Sequence, residues 1–492
     1  MKITRIELKN FFQFKDVSID LTYPKGHDKA GQPLEKICII GQSGTGKTGL
    51  LRLIKWFISR DLRIGDDLKL AVPEGGQVSM DFIVGDLNFR LTNNGTDLEY
   101  TSFGIAGKDK KKGKGKLSFT DWEKMLFAEI KTINNLMINF PTELISQRSI
   151  RRKEEILELS PTMKGIERIY RDSLGKEPGT TFEEGIKRAK QDAFRDKLKP
   201  GQVIDFAIED VEKTWHLVLK EIREYRGQEL LLDKKISDTL AQDPGNVFKL
   251  QKVREELDAW RSNPNPYDRL ADQCLDPLLK KLDLRVKRDI NLESILNLGF
   301  VQLQTPGGID VPIEYWSTGT WQVVRTIAPI FIIKPSRGVI LLDEPERSLY
   351  PDLQTTIIDT YVDYARGSQL FFATHSPLIA SCFEPWEVIE LKFDHDSHSV
   401  FQELQYKGEN HVDHYENYPE YLRWDSILLD IFDLDQEGSK KRTHALLELT
   451  ELEVQIEKLK KKGLLNSKPG QKQKKRYLEL NRMLGWRTER DD

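Results

Sequence analysis

A phosphate-binding pattern lies near the N-terminus. Residues 41–48 are GQSGTGKT and match G-x-x-x-x-G-K-[ST], between the apolar run Ile37 to Ile40 and a helix-like stretch, Gly49 to Ile54. In that context backbone N–H groups close around a phosphate anion at the positive end of the helix. We therefore expect seven residues to contact a nucleoside triphosphate: Gly41, Ser43, Gly44, Thr45, Gly46, Lys47 and Thr48. Lys47 is predicted to reach the terminal phosphates, and the Thr48 hydroxyl is predicted to bind Mg²⁺.

A pair of carboxylates follows a second apolar run. Val339 to Leu342 is typical of a buried strand, and Asp343 and Glu344 come directly after it. If this pair forms the second half of an ATP site, we expect Asp343 to belong to the Mg²⁺ shell and Glu344 to orient or deprotonate the attacking water. Tandem acids at a strand exit also occur without such a role, so the pair alone leaves both interpretations open.

Neighbouring segments make the chain resemble the ABC-type ATPases. Residues 317–322 are STGTWQ and match the signature S-x-G-x-x-Q, with Trp316 where the family usually has leucine. His375 follows a further apolar strand and matches the switch histidine of the family. The segment Glu346 to Pro351 is similar to the one that joins the Walker B strand to the subunit interface.

This resemblance implies a site shared between two copies of the chain. The signature helix of the family completes the site of a second subunit, so two ATP molecules lie between two heads. Ser317 and Gly319 are therefore expected to bind the γ-phosphate held by the other copy, and His375 is expected to contact it as a catalytic residue. The implied partner is a second head, and the implied cofactors are ATP and Mg²⁺.

Composition excludes several other classes of protein. The 492 residues are enough for two or three domains, and the net charge of −3 gives no argument for nucleic acid. The three cysteines lie far apart without a C-x-x-C pair, which disfavours a zinc site or a disulfide framework and favours a reducing cytoplasm. The first residues alternate like a strand, and no apolar run is long enough to span a bilayer. We expect a cytoplasmic protein without a membrane segment.

The order of motifs predicts an α/β fold, an ABC-type P-loop ATPase head with a mixed sheet and helices. We divide the chain into the N-terminal half of the head, a helical, short coiled-coil insertion, the C-terminal half of the head and a small helical tail: 1–150, 151–297, 298–400 and 401–492. Strand pairs are predicted around Asn10 to Phe12 and around Gly85 to Asp86. Buried parallel strands are predicted at Val339 to Leu342 and Leu370 to Ala373, with a helix from about Asp352 to Tyr364 between them.

A heptad-like seam marks the insertion. Apolar residues recur there at steps of four and three: Ile204, Ile208, Val211, Trp215, Val218, Ile222 and Tyr225. Asp243 to Gly245 is a candidate hairpin tip, with Val247 to Trp260 returning. Two interpretations remain open, a helix packed on its own domain and a projecting coiled coil that mediates self-association.

Two lysine-rich segments also allow two interpretations. Lys108 to Lys116 is either a solvated hairpin tip or a contact with a phosphate backbone. In the tail, apolar residues step by three and four ahead of the basic run Lys458 to Lys462: Leu449, Leu452, Ile456 and Leu459. That tail helix either packs in its own core or binds a partner helix.

The long interval between the two halves of the head resembles the SMC/RecF/OLD branch of the ABC-type ATPases. Gln147 falls where the Q-loop of that branch, a metal ligand, is expected. The compact head, moderate insertion and short tail are similar to ATPase subunits of bacterial antiphage defence systems, such as AriA of PARIS and PtuA of Septu. This implies a sensor or scaffold, assembled as a larger homo-oligomer, that responds to a phage protein or nucleic acid and controls a separate effector, a nuclease.

Two other functions remain as alternatives. A DNA-repair ATPase of the RecF type would bind DNA directly through Lys108 to Lys116 and the basic tail. An OLD-type ATPase-nuclease would need a metal-binding D-x-D, and Asp394 to Asp396 has that spacing. The flanking residues favour a hairpin turn there, and we expect too few residues after it for a Toprim domain. His411 and His414 also have metal-ligand spacing, but their polar neighbours favour a solvated loop.

Overall fold

The computed structural model describes most of the ATPase motifs and part of the regions between them. The described residues are 1–58, 72–84, 87–94, 98–104, 113–116, 137–140, 203–205, 211–242, 247–288, 301–335, 338–394, 396–404, 415–432, 434 and 438–485. They form two compact units, Met1–Glu420 and Tyr421–Asp492. No helix among these residues has the length and apolar character needed to cross a bilayer.

All the described strands lie in the first unit. They are β1 (Lys2–Phe11), β2 (Phe14–Asp20), β3 (Lys36–Gly41), β4 (Gln77–Val84), β5 (Leu87–Asn93), β6 (Leu98–Gly104), β7 (Gly113–Lys116), β8 (Met137–Phe140), β9 (Val203–Asp205), β10 (Arg285–Val286), β11 (Leu303–Gln304), β12 (Asp310–Val311), β13 (Val339–Asp343), β14 (Gln369–Ala373), β15 (Val388–Asp394) and β16 (Ser399–Glu403).

The α-helices begin at polar caps or prolines in several cases. They are α1 (Lys47–Ile58), α2 (Val211–Gln242), α3 (Val247–Arg261), α4 (Pro266–Leu270), α5 (Asp276–Leu279), α6 (Thr318–Ile333), α7 (Pro351–Tyr364), α8 (Pro377–Ala380), α9 (Trp424–Asp430), α10 (Lys440–Lys461) and α11 (Lys468–Leu484). A π-helical turn, Ala271–Leu275, joins α4 to α5, and short 3₁₀ turns cover Lys280–Leu282, Ile313–Tyr315, Pro385–Glu387 and Pro419–Tyr421.

One mixed sheet carries the candidate site. Thirteen of the described strands follow the order β7-β6-β5-β4-β1-β2-β16-β15-β3-β14-β13-β8-β9, while β10, β11 and β12 form a small separate sheet. From β15 to β9 the neighbouring strands are parallel, and from β7 to β2 they are antiparallel. The predicted α/β class and the predicted parallel pair β13 and β14 are confirmed, as is the helix between them.

A continuous core holds the phosphate-binding loop against this sheet. Ile37 and Ile39 of β3 and Leu50 and Ile54 of α1 are all buried in one cluster with side chains of β1, β2 and β4. Gln369 of β14 is fully buried and bonds the backbone of β1, accepting from the Ile3 N–H at 2.7 Å and donating to the Ile3 carbonyl at 2.9 Å. The two halves of the head, far apart in sequence, are therefore one folded body.

The described part of the insertion contains an antiparallel helical hairpin. Tyr225 of α2 packs against Trp260 of α3 with ring centroids 4.0 Å apart and ring planes tilted by 33°, and Lys235 pairs with Glu256 at 3.7 Å. At the base of α2, Glu221 pairs with Arg269 of α4, whereas Phe248 at the far end is 82% exposed. The base of the hairpin therefore packs on its own unit and its far end faces solvent.

One part of the predicted seam is wrong. Ile204 lies in β9, which pairs with β8 in parallel, and α2 begins only at Val211. The prediction failed here because a single apolar residue such as Ile204 is compatible with a buried strand as well as with a helix, so its spacing from Val211 does not distinguish the two. Val218 and Ile222 are buried as the seam predicts. Ile208 and the predicted tip, Asp243 to Gly245, lie outside the described residues.

The second unit contains a helical pair formed by α10 and α11. Leu449 and Leu452 of α10 pack with Leu480 of α11, and Arg476 donates two hydrogen bonds, of 2.7 and 2.8 Å, to the Glu448 carboxylate. The predicted helical tail is confirmed, and its apolar stripe packs within the unit. Of the other lysine-rich segment, the structure describes only β7, which extends the antiparallel side of the sheet beside β6.

Candidate nucleotide-binding site

The candidate catalytic residues converge because parallel strands end at the same edge of the sheet. Gly41 ends β3, Asp343 ends β13 and Ala373 ends β14, and these three strands are neighbours. Glu344 follows β13 directly and donates its backbone N–H to the Ala373 carbonyl at 2.8 Å. Ligand sites of parallel α/β sheets lie beyond such carboxyl ends. The topology therefore brings together motifs from both ends of the sequence.

The phosphate-binding loop needs glycine for two separate reasons. Gly41, Gly44 and Gly46 have φ angles of +143°, +89° and +92°, which side-chain-bearing residues rarely adopt. A Cβ at Gly41 would also lie 2.2 Å from the Leu391 carbonyl oxygen of β15, and a Cβ at Gly46 would lie 2.3 Å from Gln13 Nε2. The loop is thus enclosed by β15 and by the turn between β1 and β2.

Lys47 folds back over this loop. Its Nζ donates to the carbonyl oxygens of Gly41 at 2.8 Å and Gln42 at 3.0 Å. Burial lowers the pKa of Lys47 to about 8, against the opposing effect of the carboxylates of Asp343, Glu344 and Glu346. The ammonium group is therefore poorly solvated and held by neutral carbonyls, a state in which an anionic phosphate would be a stronger partner.

Two oxygen ligands suited to Mg²⁺ meet at the start of α1. The Thr48 hydroxyl lies 3.1 and 3.0 Å from the two carboxylate oxygens of Asp343, although the residues are 295 positions apart. Hydroxyl and carboxylate oxygens, together with substrate phosphate, are the donors that Mg²⁺ prefers. This donor set and the glycine-lined loop above it fit a nucleoside triphosphate with Mg²⁺.

Glu344 has a strained backbone. Its φ of +50° lies in the left-handed region, which a residue with a side chain longer than that of Asn or Asp seldom occupies. The strained turn is closed by the Arg347 N–H, which donates to the Glu344 carbonyl at 3.1 Å. Strain of this kind persists where the surrounding structure imposes it, often at functional sites. The turn thus fixes Glu344 directly after Asp343, at the carboxyl end of β13.

Sequence reasoning missed the role of Glu346 in this site. Its Oε1 accepts hydrogen bonds from the Thr374 hydroxyl at 2.7 Å and from the His375 N–H at 3.0 Å. The second oxygen, Oε2, is buried and has no hydrogen-bond partner among the described residues. Burial raises the pKa of this carboxyl group, and the bonds from His375 and Thr374 oppose that effect. Glu346 therefore connects the loop after β13 to the loop that carries His375.

His375 lies in an exposed loop at the edge of the site. Its N–H is held by Glu346, and the next residue, Ser376, caps α8 and donates its hydroxyl to Gln354 of α7 at 2.6 Å. Partial burial lowers the pKa of His375, and the charge of Lys47 adds to that effect. His375 and Lys47 are therefore electrostatic neighbours.

The signature residues lie at the start of α6. Ser317 is the exposed N-cap, and its Oγ accepts from the Thr320 N–H at 3.0 Å. Gly319 is buried, and a Cβ there would lie 2.6 Å from the Ser348 carbonyl oxygen. Gln322 donates to the Pro345 carbonyl at 3.3 Å. The signature helix thus contacts the segment that follows Glu344 in the same chain.

The unusual Trp316 before the signature serine has a structural reason. Its side chain is buried, and its ring centroid lies 4.8 Å from the ring centroid of Trp321. Its Nε1–H donates to the Val311 carbonyl at 3.2 Å. The buried Trp316 side chain therefore anchors the residue that precedes Ser317, the N-cap of α6.

The structure does not bring all predicted residues to one place. Lys47, Thr48, Asp343, Glu344 and His375 meet at the carboxyl edge, with Thr45 buried under the loop and Ser43 exposed on it. The contacts of Ser317 and Gly319 are instead with the start of α6 and the loop after β13. Gln147 lies outside the described residues, as do His411 and His414.

The D-x-D segment forms the predicted hairpin turn. Asp394 ends β15 opposite Ser399 of β16, and its Oδ1 accepts from the Asp396 N–H at 3.0 Å while Oδ2 accepts from the Ser397 hydroxyl. Local bonds of this kind explain Asp at a turn without any metal. The hairpin prediction is confirmed.

Comparisons with known proteins identify the family. The sequence profile of AAA_15, the AAA ATPase domain, matches residues 1–380. No curated protein gives a significant match. A solved structure of the SMC head bound to the C-winged helix domain of ScpA is 13% identical over 82% of this chain and 97% of that chain, with a TM-score of 0.43. An Smc head with an extended coiled coil, bound to the C-terminal domain of ScpA from Pyrococcus furiosus, is 14% identical over 82% and 96%, with a TM-score of 0.39.

These structural similarities are distant, whereas the family profile spans most of the chain and includes the loop at Gly41 to Thr48, Asp343 with Glu344, and His375. The protein therefore belongs to the AAA_15 family of AAA ATPase domains and is an ATPase.

Proposed function

We propose that two copies of this ATPase close head to head around two ATP·Mg²⁺, each copy completing the site of the other. The observation that carries this proposal is the separation of the signature from the phosphate-binding loop within one chain. The loop follows β3, and the signature helix packs beside the loop after β13, on the other side of β14. The Ser317 hydroxyl contacts Thr320, and Gly319 lies against Ser348 and Leu349; none of these contacts is with residues 41–48.

The exposed side of the signature supports a contact in trans. Ser317 is exposed while Gly319 is fixed against Ser348 of its own chain, so the N-terminus of α6 is rigid and faces outward. Two large exposed side chains flank it, Tyr315 at 80% and Tyr350 at 70% exposure. Aromatic side chains of this kind are enriched in protein interfaces.

Each residue then has a distinct role. Lys47 and the loop glycines would hold the triphosphate, and Thr48 and Asp343, whose side chains meet, would hold Mg²⁺, which would neutralise phosphate charge. Glu344 would orient or deprotonate the attacking water, and His375, whose N–H is held by Glu346, would contact the terminal phosphate. Ser317 and Gly319 of the second copy contribute a hydroxyl and a backbone N–H to the same phosphate. Closure would therefore depend on the triphosphate, and hydrolysis would release it.

A mixing experiment tests whether the signature acts in trans. Lys47→Ala and Ser317→Arg each inactivate both sites of their own homodimer. In a mixed dimer the Ser317→Arg copy supplies an intact loop and the Lys47→Ala copy supplies an intact signature, so one site works. Mixing equal amounts should restore about a quarter of the wild-type ATPase rate, because half of the dimers are mixed and each has one good site of two.

A matched control uses a second residue of the same half-site. Glu344 and Lys47 serve the same nucleotide, so mixing Glu344→Gln with Lys47→Ala should restore nothing. Glu344→Gln alone should accumulate as a dimer in ATP, measured by light scattering after gel filtration. A dimer that fails to form, or a Lys47→Ala and Ser317→Arg mixture without activity, refutes the proposed arrangement.

The biological part of the proposal rests on the resemblance to antiphage ATPase subunits. On this basis the heads assemble into a larger homo-oligomer in the cytoplasm, sense a phage component or nucleic acid, and control a separate effector nuclease. The test is a plating assay with and without the flanking genes, using Glu344→Gln and Lys47→Ala as inactive variants. If cells that carry either variant in place of the wild type resist phage as well as wild-type cells do, ATP-driven control is ruled out.

A further inference from the structure

The turn between α10 and α11 carries an unusual concentration of positive charge. Residues 458–475 contain no Asp or Glu and eight lysines, all exposed: Lys458, Lys460, Lys461, Lys462, Lys468, Lys472, Lys474 and Lys475. The whole chain has a net charge of −3, so this segment, the lysine turn, departs strongly from the average. A block of like charge on a folded element points to an anionic partner.

None of these lysines is committed to the fold. Among the described residues, none of the eight forms an ion pair, whereas the adjacent Arg476 bonds both Glu448 and Glu479. Lys468 lies in the first turn of α11, where the helix dipole disfavours a cation and no acidic residue offsets it. Lys458, Lys460 and Lys461 lie in the last turn of α10, where the helix dipole favours a cation. Mutual repulsion among the eight lysines and the position of Lys468 nevertheless oppose this arrangement, so folding alone does not account for it.

The turn itself is rigid. Gly470 is buried, and a Cβ there would lie 2.4 Å from the Leu465 carbonyl oxygen, so the loop and the start of α11 are in close contact. Ser467 caps α11, and the hairpin is closed by the Leu449, Leu452 and Leu480 contact. Lys468, Lys472 and Lys475 share one face of α11 over about 10 Å. The charges are therefore presented in a fixed array.

The surroundings of the lysines favour a nucleic acid over a lipid surface. Pro469, Gly470, Gln471 and Gln473 separate the lysines on α11, and a membrane-surface helix would need a broad apolar face instead. No aromatic residue lies within 458–475 on which a base would stack. Lysine ammonium groups without aromatic partners bind the phosphate backbone regardless of sequence.

We propose that the lysine turn is a site for the phosphate backbone of duplex DNA, without sequence preference. This site is independent of the two-head arrangement proposed above, because it lies wholly in the second unit and requires no nucleotide. It gives the ATPase a means to associate with DNA that uses none of the residues assigned to nucleotide binding.

The test measures binding of the full chain to a labelled duplex of mixed sequence by fluorescence anisotropy across a salt series. The triple variant Lys468→Gln, Lys472→Gln, Lys475→Gln should bind the duplex at least tenfold more weakly. The negative slope of log K against log salt should become shallower by about 2.7, because each of the three lost phosphate contacts accounts for about 0.9. A matched control removes three exposed lysines elsewhere, Lys25→Gln, Lys252→Gln and Lys280→Gln, and should bind as the wild type does.

Three results would overturn the proposal: unchanged affinity and slope in the lysine-turn variant, an equal loss in the control variant, or binding to phosphatidylserine vesicles without binding to the duplex. Because all substituted residues are exposed, both variants should keep the wild-type ATPase rate without DNA. That measurement confirms that they are folded, and it separates failure of this site from failure of the proposed two-head mechanism.

Discussion

Substitution of Glu346 should separate the control of His375 from the binding of ATP. The Glu346 carboxylate is the common acceptor for the Thr374 hydroxyl at 2.7 Å and the His375 N–H at 3.0 Å. In Glu346→Ala, both donors lose that acceptor, and Thr374 is fully buried. The loop carrying His375 then no longer has its link to the segment after Glu344.

The size of the effect follows from these two bonds. Each hydrogen bond to a carboxylate contributes about 1.5–3 kcal/mol. The substitution also removes the cost of burying a carboxylate whose Oε2 has no partner among the described residues, which offsets part of the loss. A net loss of about 2–3 kcal/mol in ordering His375 corresponds to about a 30- to 150-fold lower kcat. Glu346→Gln keeps an oxygen acceptor and loses only charge assistance, about 1 kcal/mol, so it should lower kcat about fivefold.

Steady-state ATPase kinetics distinguish a positioning role from a structural one. Because Glu346 bonds the His375 loop and not the phosphate-binding loop, KM for ATP should change much less than kcat. The order of kcat should be wild type, Glu346→Gln, then Glu346→Ala, with thermal unfolding measured for each variant. Wild-type kcat in Glu346→Ala would refute the reasoning, as would equal losses in kcat and ATP affinity.

Other expectations concern binding, packing and pH. Lys47→Ala should abolish measurable ATP binding in a calorimetric titration because the loop loses its cation; wild-type affinity would contradict the assignment. Gly319→Ala places a Cβ 2.6 Å from the Ser348 carbonyl oxygen, so unfolding in urea should show a loss of about 1–3 kcal/mol, and an unchanged midpoint would rule out this close contact. Burial raises the pKa of Glu387 to about 7 from 4.5, against the charge of Lys36. Between those pH values the folded state binds more protons than the unfolded state, so stability should fall by on the order of 3 kcal/mol as pH rises from 4.5 to 7. Glu387→Gln should remove this slope in urea unfolding at pH 5 and pH 8, and identical slopes in both proteins would show that Glu387 does not titrate in this range.

Local chemistry in the sequence was enough to predict much of the head. The glycines and Lys47 in residues 41–48 are required by a phosphate-binding loop whatever surrounds it. The apolar run Ile37 to Ile40 predicted a buried strand, and the runs Val339 to Leu342 and Leu370 to Ala373 predicted buried parallel strands; the structure has the three as parallel neighbours. The loop motif and the apolar runs can be recognised in a single sequence because each depends on the backbone conformation and burial of only a few consecutive residues.

Pairings between distant residues could not be predicted in the same way. Burial patterns indicate which face of a strand or helix is covered but not which residue covers it. Ile204 fits both a seam and a strand, and only its pairing with Ile138 in β8 decides between them. Glu346 likewise has the sequence context of an exposed loop acid, and its role depends on a loop 28 and 29 positions away.

The sequence by itself thus determined which candidate groups this protein offers: a glycine-rich loop with a lysine, carboxylates at a strand end, a histidine after a neighbouring strand and lysine-rich segments. Tertiary structure alone decided which of these meet. Thr48 reaches Asp343 across 295 residues because β3, β14 and β13 lie side by side in parallel, and Gly319 lies against Ser348 because α6 packs beside the loop after β13. The physical reason is that residue types specify which interactions are favourable, while the order of strands in the sheet specifies which are within reach.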